Sequence, residues 1–249
     1  MSALILALVA GGVVGVTLGA LGGGGSILAV PALIYLLGFT PAAATTASLL
    51  IVTATSASAL YAHARAGNVR WKTGALFAAA GLLPAAAAGA MAGRLPQPVL
   101  TAAFATVAAA AAVRMVRPAS ATAGERQPVP AGRAAGTGAG LGALTGLLGV
   151  GGGFLAVPAL VTALAFEMQA AIGTSLLVIS ANSLASLTTR GATTAGVDWA
   201  AVAPFTGAAI LGAWDGKRLA ARIPAARLGR AFAAVLLAVA AFMLIDALT

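Results

Sequence analysis

Long apolar runs separated by short polar gaps make up nearly the whole chain. Six of them have about the 20-residue length that carries an α-helix across a bilayer core: residues 43–64, 73–93 and 97–116, then 170–189, 199–219 and 226–247. Ahead of each set of three lies a longer run. Residues 3–38 carry no charge but are interrupted by Gly22–Gly25 and Pro31; residues 134–166 are interrupted in the same way by Gly149–Gly153 and Pro158. As one helix, residues 3–38 would be about 54 Å long at 1.5 Å per residue, against a hydrocarbon core about 30 Å thick. Each long run must therefore break, and either fold back or tilt.

The two sets are copies of one pattern. Residues 19–33 and 146–160 are identical at 11 of 15 positions at an offset of 127. The same offset pairs Ser48 with Ser175, Thr55 with Asn182 and Ser56 with Ser183, and Val69-Arg-Trp71 echoes Val197-Asp-Trp199 one residue later in register. Gly15 and Gly19 repeat as Gly142 and Gly146, a GxxxG spacing that reads as close helix packing. The chain divides into a first transmembrane repeat, 1–116, a proline-punctuated polar linker, 117–133, and a second repeat, 134–249.

Composition fixes the solvent. The chain is 61% hydrophobic and only 8% charged, whereas soluble domains carry about 25% charged residues. A soluble globular enzyme and a disordered chain are both excluded. Cysteine is absent, which removes disulfides and thiolate metal sites. The net charge of +9 raises nucleic acid as a partner, but the bases sit in gaps between apolar runs, so no nucleic-acid partner is expected. Those bases orient the chain instead. If each broken run crosses once, the 14 Lys and Arg divide 8 to 6 between the two sides. If each returns to the side it entered, twelve share one face and only Arg94 and Arg190 lie on the other, as the positive-inside rule expects. The fold-back is preferred. It makes the linker cytoplasmic, turns both termini outward and inserts the second copy upside down relative to the first. The expected fold is an all-α polytopic membrane protein of two inverted repeats, each a broken Gly-rich helical hairpin plus three transmembrane helices. Whether the hairpins are re-entrant or complete short spans stays open.

Non-helical backbone at membrane depth must be buried or line a cavity. Gly22, Gly23, Gly24 and Gly25 form such a turn, with a half-helix expected to start near Ser26 at a hairpin tip near the midplane. Consecutive amides in a turn make an anion-binding nest, and a half-helix points its positive dipole end at the same place. Gly149, Gly151, Gly152 and Gly153 offer the second copy. Ser48, Thr55 and Ser56 share one face of the next helix, and Ser175, Asn182 and Ser183 repeat that spacing. They would add neutral donors, unless each hydroxyl bonds back to its own helix. Asp215, an acid inside an apolar run, is a possible coupling residue or an interfacial partner for Lys217 and Arg218. His63, the single histidine, is expected at the inner surface.

These motifs resemble the sulfite exporter TauE/SafE family of integral membrane proteins. The likeness rests on the Gly-rich motif followed by proline in each half, the Ser/Thr-bearing helix after it, and Gly196-Val-Asp-Trp199, loosely echoed at Gly67-Asn-Val-Arg-Trp71. It implies transport of small sulfur-containing anions such as sulfite or organosulfonates, usually outward across the bacterial inner membrane, without a cofactor or resident metal. The residues alone support an anion transporter and leave an anion channel open. An intramembrane enzyme is disfavoured: Ser26 has no base within expected reach and no GxSG-type motif exists.

Overall fold

Backbone in lipid has to satisfy its own hydrogen bonds, and Ala- and Leu-rich runs do so as helices. A computed structural model describes residues 2–92, 97–116, 130–148, 155–190 and 198–248; among them there is no strand. The helices are α1 (Ser2–Leu21), α2 (Gly23–Pro31), α3 (Pro41–Arg65), α4 (Trp71–Ala92), α5 (Gln97–Val116), α6 (Ala131–Leu148), α7 (Ala156–Thr162), α8 (Met168–Arg190), α9 (Trp199–Ala220) and α10 (Ala225–Leu248), with a π-helical turn, Ala32–Leu36, following α2. A helix stands at each of the six expected spans, α3, α4, α5, α8, α9 and α10. Ala3–Leu21, Ala43–Arg65, Met168–Leu187 and Ala225–Phe242 are each long and apolar enough to cross a bilayer. Leu4, Ile5, Leu8, Val9 and Val13 leave one side of α1 exposed and wholly apolar, a surface suited to lipid rather than water.

Local chemistry sets the helix ends. Pro41 occupies the first turn of α3, where its missing N–H costs nothing, and the Thr40 hydroxyl accepts from the Ala43 N–H. Asp198 caps α9, its carboxylate accepting from the Ala200 N–H at 2.9 Å. Pro31 supplies no N–H to the ladder, and the turn beyond it widens to the π form. That turn closes at Gly38, φ 70°, where the Phe39 N–H donates to Leu33 O at 3.0 Å. The second copy closes in the same way, the Phe166 N–H donating to Leu160 O at 3.0 Å, but the left-handed residue there is Ala165, φ 53°. The linker is shorter at its end than expected, because 131–133 already form the first turn of α6.

Glycine decides how the helices meet. A Cβ added at Gly11, Gly15 or Gly19 of α1 would fall on the carbonyl oxygen of Phe205, Ala209 or Ala213 of α9. The paired numbers rise together, so α1 and α9 run in the same direction. In the second contact of this kind, Gly138 and Gly142 of α6 lie on the carbonyls of Phe77 and Gly81 of α4, again with rising numbers. The first helix of each copy is thus seated on the fourth helix of the other.

By contrast α3 and α8 run oppositely. Ser56 bonds Ser180, and beyond the end of α3 the Arg70 N–H donates to the Thr174 hydroxyl at 3.1 Å. Near that end, Gln169 of α8 donates to Ala220 O at the end of α9 at 3.0 Å, and Gly229 of α10 lies beside Met115 of α5. The ends of α3, α5 and α9 and the starts of α4, α8 and α10 therefore share one end of the bundle. Arg65, Arg70, Lys72, Lys217, Arg218 and Arg222 all lie there.

Candidate functional site

The break in the first long run is a single residue. α1 stays helical to Leu21, the Gly22 N–H closes its last turn on Leu18 O at 2.8 Å, and Gly22 then turns with φ 65° and ψ −122°. α2 starts at once, at Gly23. Gly23, Gly24, Gly25 and Ser26 are therefore the first turn of the returning helix rather than an extended turn preceding it, and that helix begins three residues earlier than the sequence suggests. Gly22 has no side chain with which to cap it, and the first-turn amides of a helix are the ones that find no carbonyl within it.

Two constraints make residue 22 glycine. Its φ is left-handed, and a Cβ would stand 2.6 Å from the Ser175 hydroxyl and 3.3 Å from the Ile172 backbone. The turn of the first copy consequently rests on the second copy, at Ser175, seven residues into α8. It also stands nearer one end of the bundle than its middle. Gly149, Gly151, Gly152 and Gly153 lie outside the described residues.

The Ser/Thr faces meet where α3 crosses α8. Ser48 and Ser175, equivalent in the two copies, each donate to a carbonyl three residues back, Thr45 O at 2.9 Å and Ile172 O at 2.8 Å. Ser56 bridges to Ser180 at 2.9 Å, and Ser183 is buried beside this contact on α8. Thr55 and Asn182, another equivalent pair, differ from these. Thr55 is fully buried, and neither its hydroxyl nor the Oδ1 of Asn182 has a hydrogen-bond partner. A buried polar atom left unpaired costs about 1–3 kcal/mol. Ser180 owes its role to its position facing Ser56, which only the packing of α3 on α8 determines.

Of the two titratable residues singled out, His63 is the one whose surroundings differ from expectation. His63 lies two residues from the end of α3 and is fully buried there, because the end of α1 packs over it; its Nε2 lies 3.2 Å from Gly19 O, three residues before the break. A carbonyl can only accept, so Nε2 carries the proton and Nδ1 is the acceptor. Nδ1 is buried without a partner. Asp215 is exposed and pairs with Arg218 at 3.2 Å. Trp71 and Trp199 begin α4 and α9 with half-exposed rings, as interfacial aromatics do. Among the described residues no group of acidic, histidine or cysteine side chains could hold a metal ion.

A family model described as sulfite exporter TauE/SafE matches residues 7–243. A probable membrane transporter protein of Xylella fastidiosa strain 9a5c is 36% identical, covering 98% of this chain and 96% of its own length. A probable membrane transporter protein of strain Temecula1 is 34% identical with the same coverage. No solved structure matches the chain significantly.

Proposed function

The chain belongs to the sulfite exporter TauE/SafE family and is a multi-pass membrane protein; from that premise we propose that it carries small sulfur-containing anions, such as sulfite or organosulfonates, across the inner membrane. The anion is held between the two copies. Gly22–Gly25 and Ser26, with Gly149 and Gly151–Gly153, supply backbone amides at half-helix starts, and Ser48, Thr55, Ser56, Ser175, Asn182 and Ser183 supply neutral polar groups. Thr55 and Asn182 carry this reading. Their buried atoms lack partners within the protein, they occupy equivalent positions 127 residues apart, and an oxyanion accepts from the hydroxyl while its protonated form donates to the carboxamide oxygen. The seat of Gly22 on Ser175 supports a site shared between the copies. The exposed pair with Arg218 supports an interfacial role for Asp215.

The repeats, 1–116 and 134–249 joined through 117–133, are inverted with respect to each other. Support comes from α1 lying parallel to α9 and α6 parallel to α4, since each pairs one copy's first helix with the other copy's fourth. Further support comes from the basic residues gathered at one end, the cytoplasmic end by the positive-inside rule. The relatives it matches are named membrane transporters, and on that support the chain is read as a carrier and not an enzyme.

The test is flux in proteoliposomes. Wild-type protein should transport sulfite with saturation. Thr55→Val and Asn182→Leu should raise the half-saturating concentration about tenfold each, the equivalent of about 1.4 kcal/mol, and Gly24→Leu or Gly151→Leu should abolish transport in protein that still inserts. Unchanged transport by all four would overturn the site, and conductance without saturation would make the protein a channel.

A further inference from the structure

His63 has no part in the site just described, yet it is the most unusual buried group in the chain. It is the single histidine, fully enclosed within a membrane-crossing helix. Ionisable side chains are costly there and persist where they serve ion or substrate movement. Its two ring nitrogens do different work. Nε2–H donates to Gly19 O at 3.2 Å, capping one of the last carbonyls of α1 in the way a histidine suits a helix C-terminus. Nδ1 points at no donor and is shielded from solvent. For holding α1 against α3 the first nitrogen is enough, and a carboxamide would serve as well.

The charges around the ring are few. α1 and α2 contain no titratable residue, and α8 has none between Met168 and Thr189. On α9, Lys217 belongs to the same end of the bundle, and Asp215 is engaged with Arg218. On α3 itself Arg65 lies over the Tyr61 ring, 5.9 Å from its centroid. No carboxylate stands ready to pair with an imidazolium. The nearest place where the fold presents a site for a negative charge is the turn at Gly22, three residues from the carbonyl His63 holds and at the start of α2.

We propose that His63 is the proton-binding residue of the transport cycle: Nδ1 takes up one proton together with the anion that binds at the neighbouring helix break. An anion there offsets the positive charge of an imidazolium, so proton and anion assist each other's binding, and the assistance is reciprocal. The Nε2–H bond to Gly19 persists in both states, so the proton arrives without unlatching α1. A monoanion and a proton then move together with no net charge. This rests on the transporter reading above and adds the coupling ion to it.

The test uses the full chain in proteoliposomes with sulfite and with methanesulfonate, whose own protonation does not change near neutrality. An imposed pH gradient should drive wild-type protein to accumulate methanesulfonate on the alkaline side, about tenfold per pH unit for one proton per anion. His63→Gln, whose carboxamide can still donate to Gly19 O, should exchange the anion but lose the response to the gradient. Because the chain has one histidine, nitrogen-15 labelling of histidine reports this ring alone. The spectrum should show the Nε2–H tautomer at alkaline pH and a shift to the doubly protonated ring when methanesulfonate is added near neutrality.

A gradient response that survives in His63→Gln, or a wild-type flux indifferent to the gradient, overturns the proposal. If wild-type protein moves neither anion saturably, it is the substrate reading that fails. The spectrum then decides for His63, and an Nδ1 that stays unprotonated from about pH 8 to pH 5, across the range where histidine ordinarily titrates, overturns it.

Discussion

Gly12 and Gly15 stand three residues apart on α1, and one added methyl should have opposite effects at the two positions. A Cβ at Gly12 meets nothing within 4 Å, whereas at Gly15 it falls on the Ala209 carbonyl oxygen and 2.6 Å from the Ala209 Cα. Ordinary van der Waals contact starts at 3.4 Å, so α1 and α9 would have to separate by some 0.8 Å to clear the Cα alone and by more to clear the oxygen. The obstruction is backbone, which has no rotamer by which to withdraw. A gap of about 0.5–1 Å forfeits a quarter to a half of the dispersion attraction between the surfaces it parts, and overpacking of this kind costs about 1–3 kcal/mol. Replacing helical glycine with alanine returns about 1 kcal/mol of backbone propensity at either site. Gly15→Ala should therefore lose about 2 kcal/mol net, near the top of the overpacking range, while Gly12→Ala gains up to about 1 kcal/mol. Unfolding in mixed micelles, followed through the three tryptophans, measures both. If the two variants are equally stable, α1 and α9 do not meet through these glycines and the account of the bundle is wrong.

Three further outcomes follow from particular contacts. Ala165→Gly should stabilise the protein by about 1 kcal/mol, since a left-handed L-residue costs about 1–2 kcal/mol; a lowered melting temperature would show that Ala165 is not strained. A double-mutant cycle on Ser56→Ala and Ser180→Ala should give a coupling of about 0.5–1.5 kcal/mol, the net worth of a hydrogen bond, and additivity would mean that the two hydroxyls do not meet. Single cysteines at Asn68 and Ala225, on this cysteine-free background, should label from the same membrane face. Labelling from opposite faces would refute the returning hairpins.

Much of the fold was legible because membrane helices announce themselves by length. The expected span 43–64 is α3, Pro41–Arg65, and 226–247 is α10, Ala225–Leu248; the boundaries hold because proline, Thr40 and the charged gaps act locally. The duplication was equally legible, and it reappears in backbone detail at Gly38 and Ala165. The glycine break was only partly so. Composition marks Gly22–Gly25 as interrupted, but four consecutive glycines do not say which one turns. Contact with Ser175 and Ile172 selects Gly22, and that contact joins residues more than a hundred positions apart. The burial of His63 was missed for the same reason. Two residues from the end of a span, it reads as interfacial, and nothing local reveals that the end of α1 covers it. Gly15, Gly19 and Gly142 were correctly read as packing positions, although their partners are set by the tertiary fold.

The choice of partners bears on how the site is built. Each copy places its first helix on the other copy, α1 on α9 and α6 on α4, through contacts in which glycine lies directly against carbonyl oxygen. Such contacts admit no intervening side chain or water and little change of separation. The contact between α3 and α8 is of another kind. It is made of hydroxyls that bond across the interface at Ser56 and Ser180, or back to their own helix at Ser48 and Ser175. A hydroxyl can exchange one partner for another by rotating about a single bond, whereas a backbone seated on backbone cannot. Two of the three unsatisfied groups among the described residues, Thr55 and Asn182, stand on α3 and α8 beside the hydroxyls of this adaptable interface. A ligand that completes their hydrogen bonds therefore acts on the seam where the two copies can change partners without losing the helix pairs that hold them together.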